Sequence, residues 1–293
     1  MIAALTLVLA YRVLTTPSCP QVRSRSAALS LTDQEERISQ VMELPTAEKL
    51  SESARGSGLA LALDDGTRKS HSVAENTAFV TGFFRGIATK QAFGQLVASL
   101  YFVYDAMEAA FTECDDEGVR ALDYPQLRRR AALEEDMAYY FGPEWRESVQ
   151  PSPATRKYCA RVEEVAREAP YLLIAHMYTR YLGDLFGGQM MGGMARRSLD
   201  LDASLGTKFY EFDDIPSKDI KPFIEEWYAQ LNTLELTDEQ KERIVDEGNE
   251  VFRLNIEVFE ELEGNPAKAL FTLAISSLRS ALGLVGGAVS GDV

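Results

Sequence analysis

Two histidines and one glycine-rich stretch are the residues of this 293-residue chain best suited to chemistry. On a helix, Ala74 and Ala78 would share the face of His71, three and seven positions back. Small neighbours let a planar ring approach an imidazole, although a packed or solvated histidine fits the same pattern. The second feature is YLLIAHMYTRYLGDLFGGQMMGG, Tyr171 to Gly193, which carries His176, Arg180 and Asp184. It begins as an apolar helix behind Pro170, a residue tolerated in a first helical turn. It then holds Gly183, Gly187, Gly188, Gly192 and Gly193. Each mid-helix glycine costs about 1 kcal/mol relative to alanine, so such a cluster needs compensation. One compensation is a bulky, flat, mostly apolar ligand laid against the backbone. The other is a close contact with a second helix. Spacing leaves both open.

The remaining chain must position these groups, and its pattern is helical throughout. Gly58 to about Asn76 carries His71. Thr89 can cap a long amphipathic helix with Phe93, Leu96, Val97, Leu100, Tyr101, Tyr104, Met107 and Phe111 at three- and four-residue steps. That aromatic stripe reads as core. Asp115 to Pro125 reads as a connection, and Leu127 to Phe141 as a helix with Arg128, Arg129 and Arg130 on a solvated face. Ala154 to Glu168 leads into the glycine-rich helix. Phe209 to Pro216 reads as extended, and Pro222 to about Leu234 as helical. Thr237 and Gln240 form a capping box before the last strong helix. No strand-rich region, GxGxxG, P-loop or HExxH signature occurs. The expected class is all-α, a single-domain helical bundle of about eight helices.

Residues 1–30 hold Arg12, Arg23 and Arg25 with no acid, after a short apolar run, and read as a targeting segment. Residues 31–58 read as a polar linker with some helix, 59–264 as the functional domain, and 265–293 as a tail. Arg279 interrupts the apolar part of that tail, which favours a soluble or surface-lying segment over stable membrane insertion. The net charge of −15 argues against nucleic acid as a main partner. Cys19, Cys114 and Cys159 lack zinc-type or disulfide-framework spacing, and Cys159 reads as a small buried residue.

Two histidines, one among alanines and one before the glycines, suit a ligand held between two helices. Haem fits, because imidazole is a common axial ligand to iron. The glycine-rich helix would then be the distal wall, with room for a diatomic ligand. Asp184 is a poor iron ligand but well suited to holding a water there.

YLLIAHMYTRYLGDLFGGQ closely resembles the signature segment of haem oxygenases. RKSHSVAEN, LVASLYFVYDAMEAAF, AALEEDMAYYFGPEW, FYEFDDI and LNIEVFEELEG resemble other segments of that family, in the family's order, from about Thr67 to Gly264. TRKSHSVAEN, SLYFVY and ELEGN are closest in character to the cyanobacterial and algal branch. The resemblance implies that His71 is the proximal ligand of haem b and therefore the metal-binding residue. It implies that Gly183 and Gly187 lie over the haem and leave space for dioxygen, that Asp184 organises a distal water network, and that Arg180 is its partner. It places Tyr178 on a haem propionate, Phe252 and Phe259 in the pocket lining, and Arg68 as a surviving basic residue near the propionates. His176 corresponds to a histidine that is not the iron ligand.

The implied activity is that of an oxidoreductase of heme catabolism, converting haem, dioxygen and reducing equivalents to biliverdin, carbon monoxide and ferrous iron. The alternative is a haem-binding protein without turnover. The implied electron donor is ferredoxin, with a flavoprotein reductase as the alternative, and a biliverdin-using reductase is a further partner. The branch and the acid-free N-terminus point to a plastid, the alternative being the endoplasmic reticulum. Two departures stand out. Asp64, Ile224 and Tyr228 occupy positions where the family places basic residues opposite the propionates. Gly192 and Gly193 replace lysines, leaving Arg196 and Arg197 as the nearby basic pair for donor docking.

Overall fold

Helix ends fall where the capping residues put them. The Thr89 hydroxyl accepts the Ala92 N–H at 3.0 Å and Ser152 that of Thr155 at 3.2 Å. Thr237 and Gln240 cap each other reciprocally, at 2.9 and 3.1 Å. The computed structural model describes residues 53–84, 89–201 and 205–262. Among these there is no strand, and eleven α-helices follow in order: α1 Gly58–Glu75, α2 Ala78–Phe84, α3 Lys90–Glu113, α4 Glu117–Leu122, α5 Arg130–Phe141, α6 Trp145–Ser148, α7 Pro153–Glu168, α8 Leu173–Met177, α9 Gln189–Ser198, α10 Ile220–Asn232 and α11 Asp238–Leu262. Several are single turns, so the number of long helices is close to the eight expected. The expected targeting segment, most of the expected linker and the expected tail lie outside the described residues. No helix among the described residues is long and apolar enough to cross a membrane.

α3 is the spine of the core. Its stripe of Phe93, Leu96, Val97, Tyr104, Met107 and Phe111 is buried, and α5, α7 and α11 pack around it. α1 and the glycine-rich rod each lie on α11. Glycine sets the first of these contacts. A Cβ at Gly66 would stand 2.3 Å from Val245, and one at Gly248 would stand 3.0 Å from Thr67. The two backbones therefore approach closely and hold α1, with His71, at a defined angle.

Four stretches depart from the sequence reading. Asp116 caps Val119 at 3.0 Å and starts α4 inside the expected connection. Arg129 is not solvated. It is buried, stacks over Phe212 at 3.9 Å and donates to the Glu211 carbonyl at 2.5 Å, which pins the FYEFDDI loop. The expected extended passage opens instead in a 3₁₀ turn, Lys208–Tyr210, whose Lys208 and Phe209 N–H groups both donate to Asp136 at 2.9 Å. The end of the expected linker is a 3₁₀ turn, Ala54–Gly56, docked on α10 through Glu225 and Asn232. A carboxylate or amide from a distant element satisfies backbone groups in both turns, and local periodicity does not reveal such pairing.

Candidate functional site

The rod that begins as α8 does not run as a plain α-helix. It widens into two π-helical turns, Tyr178–Leu182 and Asp184–Gly188, before continuing as α9. Such turns re-aim side chains, and they mark functional positions often. The glycines divide by face. A Cβ at Gly183 or Gly187 would meet nothing within 4 Å. A Cβ at Gly192 would stand 2.8 Å from Tyr210, and one at Gly188 would stand 3.0 Å from the same ring. One pair, four residues apart, borders open space, and the other pair seats a tyrosine.

His71 is half exposed on α1, with 53% of its side chain accessible. Phe252 of α11 meets the ring edge-on, with centroids 5.5 Å apart. His71 Nδ1 lies 3.7 Å from Glu75 Oε1, so Nε2 is the nitrogen left for a ligand. Burial pushes the Glu75 carboxyl up, against the pull of His71. Its other oxygen is buried without a hydrogen-bond partner. Glu75 was not picked out from the sequence, although its place one helical turn after His71 was the available signal.

Asp184, at the start of the second π turn, is buried in a set of fixed partners. The Tyr104 hydroxyl donates to its Oδ2, and Arg180 Nη2 lies 3.5 Å from Oδ1. Arg180 also donates to the Tyr104 hydroxyl at 3.3 Å and to Asn255 Oδ1 at 2.8 Å. Asn255 is held by the Val251 carbonyl at 2.8 Å. Burial raises the Asp184 pKa, and the Arg180 charge and the Tyr104 hydrogen bond oppose it. A carboxyl held this way beside open space can keep, orient and pass a proton. Tyr104 belongs to the stripe read as core. It is fully buried, and its hydroxyl serves the site as well. Asn255 was missed too; it stands one turn beyond Phe252, on the same face of α11.

The other expected residues are placed unequally. Tyr178 opens the first π turn, its ring 6.4 Å from that of Tyr228, and burial pushes its phenol up to about 12. Phe259 is partly buried and stacks on Phe79 at 5.7 Å, one step along α11 from the His71–Phe252 contact. Arg68 is exposed on α1, paired with Asp65 and 3.7 Å from Asp64. Ile224 and Tyr228 are buried on α10, and Asp64 pairs with Arg55. His176 is fully buried, donating from Nε2 to Glu247 at 3.1 Å, and Arg161 holds the same carboxylate. Cys159 is partly buried with a thiol pushed up to about 12 by burial, which makes it unreactive as expected.

Among the described residues, α11 thus carries a helix with an accessible imidazole and a rod with two open-faced glycines and a buried acid network. Residues 57–261 match the family model described as Heme oxygenase. The chain is 44% identical to heme oxygenase 1 of Synechocystis sp., over 75% of this chain and 91% of that protein. It is 43% identical to a heme oxygenase of Pyropia yezoensis, over 75% of this chain and 92% of that protein. The crystal structure of heme oxygenase-1 from Synechocystis sp. in complex with heme superposes with a TM-score of 0.69 at 43% identity, covering 76% of this chain and all of that one. The chain belongs to the haem oxygenase family, with relatives in the cyanobacterial and algal branch.

Proposed function

We propose that this chain cleaves haem b with dioxygen and reducing equivalents, giving biliverdin, carbon monoxide and ferrous iron. One observation supports the reading: α11 carries both the helix of the half-exposed His71 and the rod on which Gly183 and Gly187 leave space beside the buried Asp184. The haem supplies both the iron that binds dioxygen and the porphyrin that is oxidised. His71 is the iron ligand through Nε2, with Glu75 orienting the ring from Nδ1. Gly183 and Gly187 hold back side-chain volume where dioxygen must fit. Asp184, fixed by Tyr104 and Arg180, would place water and deliver the protons that reduction of dioxygen consumes. Phe252 backs the imidazole from below, and Tyr178 offers a phenol at the rim.

Ferredoxin is the proposed electron donor, with a flavoprotein reductase as the alternative. Arg196 and Arg197 supply the local positive charge an acidic donor needs on a chain of net charge −15. A biliverdin-using reductase would consume the product, and the plastid is the proposed compartment. A haem-holding protein without turnover is the second reading, favoured by Asp64, Ile224 and Tyr228 at the rim. A single-turnover experiment separates the two. Haem-loaded protein is mixed with reduced ferredoxin under oxygen. Loss of the Soret band with appearance of biliverdin establishes the enzyme, and a return to ferric haem establishes the holder.

A further inference from the structure

Arg55 reaches the site from outside the helices that build it. Its 3₁₀ turn is fastened to α10: the Ser53 hydroxyl and the Ala54 N–H donate to Glu225 at 2.6 and 2.9 Å, and Asn232 donates to the Ala54 carbonyl at 2.7 Å. Asn232 also accepts the Ala60 N–H at 3.0 Å, tying the turn to the start of α1. From this anchor the Arg55 side chain runs inward. Its Nη2 bonds Asp64, and its guanidinium carbon lies 5.8 Å from the centre of the Phe186 ring. Asp64 stands two helical turns before His71 on the same face of α1. Phe186 lies between Asp184 and Gly187 in the second π turn. The guanidinium therefore links α1, the helix of His71, to the second π turn, which holds Asp184 and Gly187. The phenols of Tyr178 and Tyr228 are also near enough to favour its charge.

Two features make Arg55 more than a surface ion pair. Its Nε is buried and has no hydrogen-bond partner. A buried unmet donor on a charged group is costly unless something completes it. The group it does bind is a carboxylate, and a guanidinium has donors for a second one. No basic side chain stands at 64, 224 or 228 to take a ligand's acid group, and Arg68 is exposed and already paired.

Building on the haem reading above, we infer that Arg55 is a haem-positioning residue: it binds a propionate carboxylate through the donors Asp64 leaves free, and Asp64 holds its fork in place. The charge that anchors the ligand's edge thus comes from the segment before α1.

The test compares ferric haem with its dimethyl ester, which lacks both carboxylates, by Soret titration of the full chain. Wild type should prefer haem. Arg55→Gln should weaken haem binding about ten-fold, the value of one charge-assisted hydrogen bond, and leave the ester unchanged. Arg55→Lys, charged but without the fork, should recover part of the preference. The pair R55Q/D64N leaves no carboxylate unpaired, so it guards against misfolding of the single variant, and it should also lose the preference. Equal weakening of both ligands would mark Arg55 as merely structural, and unchanged haem affinity would show that it touches nothing; either overturns the inference. If wild type binds haem but His71→Ala leaves its spectrum unchanged, the ligation reading falls while the Arg55 comparison still stands on its own. If wild type binds neither ligand, both readings fall together.

Discussion

His71 and His176 are the chain's only imidazoles, and the fold treats them in opposite ways. Each has a glutamate beside it. His176 is fully buried against Glu247, which Arg161 also holds. His71 is half exposed, and its Glu75 is farther away. The glycines of the distal rod repeat the contrast: Gly188 and Gly192 close on Tyr210, whereas Gly183 and Gly187 close on nothing. A residue type that looks like chemistry in a sequence becomes packing where its surroundings are complete. It becomes a site where they are left unfinished.

The comparison predicts effects that separate stability from binding. His176→Ala should cost about 3 kcal/mol in urea unfolding, because it leaves Glu247 buried with one partner fewer. Haem bound by the surviving folded protein should keep its Soret position. His71→Ala should do the reverse: stability within about 0.5 kcal/mol of wild type, as for a surface change, with the axial-ligand spectrum lost. A His71 variant that unfolds, or a His176 variant that alters the haem spectrum, would break the distinction.

Gly192→Ala should cost about 1–3 kcal/mol by overpacking Tyr210, read from the midpoint of thermal unfolding. Gly183→Ala should gain up to about 1 kcal/mol, since a helix prefers alanine and nothing stands in the way. It should nonetheless slow turnover. Asp184→Asn should keep haem affinity while biliverdin formation in single turnover falls by about 100-fold, within the usual range for a lost proton-transfer group.

The acid limb of stability sharpens the same contrast. Burial pushes Glu247 up, but His176 and Arg161 outweigh it and bring its pKa down to about 2, from an ordinary value of 4.5. A depressed carboxylate stabilises the fold above its unfolded pKa, and that contribution is lost as the pH falls from about 4.5 through about 2. Glu247→Gln should therefore be less stable at neutral pH, with the gap to wild type narrowing over that window in a pH series of urea melts.

Helix identity was legible because it rests on local rules. Thr89, Ser152 and the Thr237–Gln240 box are caps that need only neighbours three residues away, and the α3 stripe is a periodicity. His71 stood out through its small neighbours, Asp184 as an acid among apolar residues and the five glycines as a cluster that conflicts with plain helix packing; the resemblance to haem oxygenases then picked Gly183 and Gly187 from the five. Glu75, Asn255 and the hydroxyl of Tyr104 were not legible as site groups. Each sits at an ordinary helical position and gains a role only from what faces it. Arg129 was misplaced for the same reason: three arginines in a row look solvated, and nothing local reveals that the middle one finds Phe212 and the Glu211 carbonyl.

By itself, then, the sequence determined the all-helical class, the positions of the long helices and the residues at which regular packing had to fail. Those depend on propensity, capping and period, which act within a turn or two of chain. Only the tertiary structure decided which histidine stays exposed, which glycines meet a tyrosine, and that Arg55, before α1, reaches Asp64 and the Phe186 ring. Such outcomes depend on burial and on partners far away in the chain, so they exist only once α11 has brought α1 and the glycine-rich rod onto one floor.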